Sequence, residues 1–176
     1  MKKIIFLSLT LLIVISSIIF LNFNNDFRPL TDQETRELHS VFFDDVNYSK
    51  VTISTANLPP TMAAFVFSNH IFFREEYSVK DYSQHYLKMA RLVHEIGHVW
   101  ANQSKGFQSS LIALKEHFIH KDQVYAHDAL SGNKALDDFR YEQQCRILSD
   151  YYINRHLGFD ISAYKMTIYK TINSIK

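Results

Sequence analysis

The stretch Val93-His94-Glu95-Ile96-Gly97-His98-Val99-Trp100 constrains this chain more than any other, because it contains His-Glu-x-x-His inside an apolar run. Residues four apart on a helix share a face, so His94 and His98 can aim two imidazoles at one metal ion. Glu95 lies about 100° round the helix from His94, which places its carboxylate beside such an ion instead of on it. From there it can act as a general base toward an attacking water. The flanks read as a packed helix, with Leu87, Met89, Ala90, Leu92 and Val93 before the motif and Val99, Trp100 and Ala101 after it. Gly97 within that helix costs about 1 kcal/mol against Ala, which points to a close packing partner. Two imidazoles at this spacing with an adjacent carboxylate indicate Zn2+.

Catalytic zinc takes three protein ligands and keeps one position open. A third histidine in the pattern HExxHxxGxxH is excluded, since Ala101 stands where Gly is needed and Ser104 where His is needed. Two downstream carboxylates compete. Glu142 is preferred because it falls in a long helical pattern, expected from about Leu136 to Leu157. Its neighbours Cys145 and Ser149 are small and leave room for a second helix. Glu116, between Lys115 and His117, is the second candidate, and His127, Asp150 or water remain beyond it. Cys145, the sole cysteine, reads as a small buried hydrophobe.

Helix and strand signals surround the motif. Thr31-Asp32-Gln33-Glu34 matches a capping box, and Leu38, Val41 and Phe42 give the helix that follows an apolar face. Lys50 to Thr55 alternates as a strand, and Ala64–Phe67 with Ile71–Arg74 reads as a β-hairpin around Ser68-Asn69-His70. The edge of such a hairpin could pair with an extended peptide. Asp81 or Ser83 is expected to cap the motif helix and Gly106 to end it. A helix from Ser109 or Ser110 to His120 comes next. A last helix, capped by Asp160, has Ile161, Tyr164, Ile168 and Ile172 or Ile175 as its buried stripe.

At the N-terminus, Met1-Lys2-Lys3 precedes the uncharged run Ile4–Leu21, about eighteen residues and just enough to span a bilayer. Without an Ala-x-Ala cleavage pattern it reads as an uncleaved signal anchor with the remainder on the extracytoplasmic side; a cleaved signal is the alternative. The division is then residues 1–3 as a charged n-region, 4–21 as anchor or signal, 22–30 as linker and 31–176 as one metal-binding domain. A net charge of +1 gives no electrostatic footprint for nucleic acid.

His-Glu-Ile-Gly-His followed by a helix bearing Glu142-Gln143-Gln144-Cys145 resembles the zincin-like metallopeptidases of the Glu-ligand (gluzincin) type. That resemblance implies His94, His98 and Glu142 as zinc ligands and Glu95 as base. The sequence His98-Val99-Trp100 with Glu142-Gln143-Gln144-small and Asp150-Tyr151-Tyr152 is also similar to short bacterial proteins labelled Vgr-related, which carry HE-x-THVWQ and EQQA signatures. The likeness spans roughly Arg28 to Tyr152. Gly97 replaces the usual Thr, Ala101 a Gln, and Arg146 the acidic residue that commonly orients a zinc-bound His; Asp150 or Asp138 could stand in for it.

The resulting expectation is an α+β protein. It is a mainly helical zincin-like domain with a small N-terminal antiparallel sheet, preceded by one transmembrane or signal helix. Its expected activity is Glu95-assisted hydrolysis of a peptide or amide bond, with Tyr125 or His127 as candidate oxyanion partners. A catalytically silent binding or assembly partner at the membrane is the first alternative. A metal-free, membrane-tethered helical domain is the second.

Overall fold

The computed structural model describes residues 26–106, 108–120, 125–127 and 134–172. Its β-strands are β1 (Arg28–Pro29), β2 (Thr52–Thr55), β3 (Ala64–Phe67) and β4 (His70–Phe73). Its α-helices are α1 (Asp32–Phe42), α2 (Tyr86–Lys105), α3 (Gln108–His120), α4 (Tyr141–His156) and α5 (Ser162–Ile172).

The strands form one mixed sheet in the order β1-β2-β4-β3. The hairpin β3–β4 forms as the sequence suggests, with Val66 opposite Ile71, and Ser68 takes a positive φ of 56° at its turn. β2 pairs with β4 in parallel, Ile53 beside Ile71, while β1 adds antiparallel outside it. The small antiparallel sheet expected from the sequence is therefore corrected. Period-two alternation identifies a strand but not the direction of its partner, and the segment through Pro59-Pro60 returns the chain so that β4 enters beside β2. This leaves β3 as one sheet edge and Pro29, which has no N–H to offer a further strand, on the other.

The fold class is corrected with it, to a mixed α/β arrangement of a four-stranded sheet and five helices among the described residues. Among those residues no helix is long and apolar enough to cross a membrane. The run Ile4–Leu21 lies outside them. The single-pass membrane arrangement read from the N-terminus is therefore corrected to what the described residues hold, which is no membrane-spanning helix.

The core lies where α2 meets the other elements. Met89, Leu92, Val93, Ile96, Val99 and Trp100 of α2 are fully buried with Leu38 and Phe42 of α1, Ile53, Ile71 and Phe73 of the sheet, and Ile147 and Leu148 of α4. The capping box of α1 is present, and its Glu34 carries more than a cap. At 0 % exposure, its carboxylate accepts from both terminal guanidinium nitrogens of Arg28 at 2.9 and 2.8 Å and from the backbone N–H groups of Thr31 and Tyr82 at 2.8 and 2.9 Å. These bonds satisfy a buried charge and tie β1, α1 and the turn before α2 together.

At its start α2 differs from expectation. Asp81 caps the short turn Tyr82–Gln84, and the N-cap of α2 is His85, whose Nδ1 accepts from Leu87 N–H at 3.2 Å. Gly106, with φ 86°, ends it. The far end of α2 is fixed to the hairpin turn, where Asn102 donates to the Ser68 carbonyl at 3.0 Å and Gln103 to Asn69 Oδ1 at 2.8 Å.

The long helix expected from Leu136 to Leu157 is divided. Leu136–Asp138 is a separate 3-10 turn, closed by Asp138 accepting from Ala135 N–H at 2.8 Å, and Phe139-Arg140 is extended before α4 begins at Tyr141. Helical periodicity carries across such a break because the same apolar face continues on both sides. One consequence is functional: Glu142 occupies the first turn of α4, not its middle.

Candidate metal centre

The α2–α4 packing assembles the site. The helices meet tightly at Gly97, where a Cβ would lie 2.8 Å from Cys145 Sγ, 3.2 Å from Cys145 Cα and 3.3 Å from Cys145 Cβ. Only the absence of a side chain permits this spacing. One turn further along α4, Ser149 donates to the Ala90 carbonyl at 3.0 Å and fixes the relative position of the two helices.

His94 and His98 direct their rings at Glu142, which is 7 % exposed. Glu142 Oε2 lies 3.4 Å from His94 Nε2, and Oε1 lies 3.5 Å from His98 Nε2. A charge-assisted hydrogen bond would be about 2.7–2.9 Å. Donor atoms at tetrahedral angles about a zinc ion, each roughly 2.0–2.2 Å from it, stand about 3.3–3.6 Å apart. The observed separations are longer than a charge-assisted hydrogen bond and close to the spacing of two donors on one ion, each carboxylate oxygen standing by a different imidazole. Oε2 of Glu142 is buried and accepts no hydrogen bond. The residues therefore fit a divalent cation.

Glu95 is 9 % exposed and lines the same cavity of about 120 Å3 as His94, His98, Ala113, Tyr125 and Glu142. The opposite wall runs from Thr61 to Val66 and includes the edge strand β3. Burial pushes the Glu95 carboxyl up, against the pull of His94 and His98. Burial acts in the same direction on Glu142, but His98 and His94 outweigh it and hold that carboxyl well below the usual range. The N-terminal end of α4 also favours negative charge at this position. At His98, burial disfavours the imidazolium, yet the surrounding Cys145 and Glu142 raise its pKa well above the ordinary value. Two carboxylates and two imidazoles gathered in one largely buried pocket thus stabilise positive charge at their centre.

The competing third-ligand candidates do other work. Glu116 Oε2 accepts from the backbone N–H of Glu142 at 3.3 Å, so it satisfies an orphan donor in the first turn of α4. His127 Nε2 is 3.0 Å from Asp150 Oδ2, and Arg146 Nε is 2.8 Å from Asp150 Oδ1. Asp150 is thereby committed to His127 and Arg146, and Asp138 to Ala135; neither stands behind His94 or His98 in those bonds. Tyr125 meets His94 edge to face, ring centroids 5.9 Å apart, at the cavity.

Cys145 is buried beside Glu142, as its small size suggests, and what the sequence does not disclose is how near its sulfur comes to the two motif histidines. Its thiol is 1 % exposed, and Sγ, a nitrogen of His94 and a nitrogen of His98 all lie within 4.8 Å of one another. The spacing three residues after Glu142, one helical turn, is the signal that could have found it.

No family model matches the chain. Over 144 residues it is 31% identical to the type VI secretion system spike protein VgrG2b of Pseudomonas aeruginosa strain PAO1, a match spanning 77% of this chain and 14% of that protein's length. Among solved structures it is similar to the effector domain of Pseudomonas aeruginosa VgrG2b. The two superpose with a TM-score of 0.64 at 30% identity, covering 77% of this chain and 79% of that one. At that identity and coverage the chain belongs to the family of the VgrG2b effector domain.

Proposed function

We propose that this chain is an effector of the type VI secretion kind whose centre is a gluzincin-like zinc hydrolase acting on a peptide or amide bond. The kinship to a spike protein's effector domain supports a partner in a secretion apparatus. The single observation carrying the chemistry is the fork of Glu142 set 3.4 and 3.5 Å from the two motif imidazoles. His94, His98 and Glu142 would hold the ion, and bound zinc would acidify a water and polarise a carbonyl. Glu95, on the cavity side of α2, takes a proton from the attacking water and returns it to the leaving amine. A carboxyl pushed up by burial is suited to both halves of that exchange. The exposed edge of β3 offers backbone groups to an extended substrate along the cavity wall.

The test is metal content and turnover on one preparation. Wild type and Glu95→Gln should each carry close to one equivalent of zinc, with casein or peptide-library hydrolysis falling at least about 100-fold in Glu95→Gln. Zinc below about a tenth of an equivalent would refute the metal site. Equal hydrolysis by both proteins would refute Glu95 as base.

One observation favours a second reading, a metal-binding but catalytically silent binding partner. The acid that should orient a ligating histidine is replaced by Arg146, and Asp150 and Asp138 are engaged elsewhere. Zinc bound at full stoichiometry without turnover on any peptide would select it.

A further inference from the structure

We infer that residues 125–127 do for His94 what an acid behind a ligating imidazole ordinarily does. Pinned to α4 through His127 and Asp150, the segment sets the Tyr125 ring against His94 and holds that imidazole in its ligating orientation. The inference rests on the zinc reading above. It makes Tyr125, His127 and Asp150 positioning residues, which act on a ligand of the ion and not on the substrate.

Helix α4 has two working faces. Glu142, Cys145 and Ser149, each about one turn from the next, are turned to α2, where they meet the imidazoles, Gly97 and the Ala90 carbonyl. Gln143, Arg146 and Asp150 repeat that spacing one residue further round, and two of the three grip the segment directly. Gln143 Nε2 donates to the Ala126 carbonyl. Asp150 divides its carboxylate, with Oδ2 3.0 Å from His127 Nε2 and Oδ1 2.8 Å from Arg146 Nε. The His127 and Asp150 side chains are only 9 % and 17 % exposed, so salt screens this pair little. Arg146 stands where the orienting acid is expected, yet it serves the same end at one remove, by fixing the carboxylate that fixes His127.

Tyr125, two residues before His127, lines the cavity with His94, Glu95, His98 and Glu142. Its ring centroid lies 5.9 Å from that of His94 at 61°, and the His98 centroid lies 5.2 Å from it at 75°. Both contacts fall in the range of favourable edge-to-face pairs. The terminal torsion of a histidine is otherwise broad, and turning it would carry Nε2 away from its place 3.4 Å from Glu142 Oε2. Two rings packed on the imidazole narrow that torsion. The contact that matters is made by the ring of Tyr125, not by its hydroxyl.

The test is a competitive zinc titration of the full chain against a chromophoric chelator, with Co2+ absorption as a second readout of the ion's surroundings. Tyr125→Ala and His127→Ala should each weaken zinc binding by at least about tenfold and alter the cobalt d–d bands. Tyr125→Phe keeps the ring and should stay within about twofold of wild type with unaltered bands. Because His127 acts through Tyr125, the double variant should bind no more weakly than Tyr125→Ala alone. Should Tyr125→Ala not fold, Tyr125→Leu keeps most of the bulk without the ring and should show the same loss. Wild-type zinc affinity in both Tyr125→Ala and His127→Ala would overturn the inference and leave the three-donor site standing. So would a loss in Tyr125→Phe as large as in Tyr125→Ala, or additive losses in the double variant. Wild type taking up no zinc would instead overturn the zinc reading itself, and the inference with it.

Discussion

Replacing Gly97 with Ala puts the geometry of the centre at risk through one methyl group. In an isolated helix the change would stabilise by about 1 kcal/mol, because Ala gives up less backbone entropy. Here the new Cβ would stand 2.8 Å from Cys145 Sγ, 3.2 Å from its Cα and 3.3 Å from its Cβ. Carbon–carbon pairs settle at about 3.5–4.0 Å, so α2 and α4 must part by several tenths of an ångström. The sulfur can rotate away, but the crowding against the α4 backbone cannot be relieved by any rotamer of Cys145. Overpacking of this kind costs about 1–3 kcal/mol. The net expectation is a loss of up to about 2 kcal/mol, or a thermal midpoint lower by up to roughly 8 °C for a chain of this size. Glu142 moves with α4, so zinc affinity should fall as well. Urea unfolding of the metal-free chain and a competitive zinc titration measure the two effects separately. Combining Gly97→Ala with Cys145→Ala removes the 2.8 Å clash and should recover part of the stability, a coupling of about 0.5–3 kcal/mol. If Gly97→Ala alone raised stability by the full 1 kcal/mol or so of its helix propensity, the helices would not touch there, and the assembly of the centre through Gly97 would be wrong.

Other consequences are equally direct. Glu142→Ala should abolish stoichiometric zinc binding, measured by elemental analysis, while Glu116→Ala should retain it and lose only the stability of a first-turn bond, about 1 kcal/mol. Glu34→Ala leaves Arg28 and two backbone N–H groups without their acceptor, and chemical denaturation should register a loss of about 3–5 kcal/mol. Asp150 is opposed by burial, but its bonds to His127 and Arg146 lower its pKa. A carboxyl depressed in the folded state stabilises above its unfolded pKa, about 3.9, and that contribution disappears as pH falls through the folded value. The acid limb of a thermal-midpoint profile should therefore be shallower in Asp150→Asn than in wild type; identical limbs would remove Asp150 from the account.

The sequence by itself determined the two imidazoles, the neighbouring carboxylate and the cap of α1, because each is a matter of spacing within a few residues on one element. The hairpin of β3 and β4 was legible for the same reason, with an aromatic-rich run on either side of Ser68-Asn69-His70. Tertiary structure decided the rest. That β2 lies parallel to β4 follows from where a connection returns the chain, which alternation does not record. That Glu142 faces the histidines while Glu116 holds a backbone N–H depends on a helix beginning at Tyr141, after a break the apolar pattern runs straight through. Cys145 looked like any small buried residue until α4 was laid against Gly97. A side chain's type and spacing fix what chemistry it can perform, but two helices packed face to face fix which groups share one point in space.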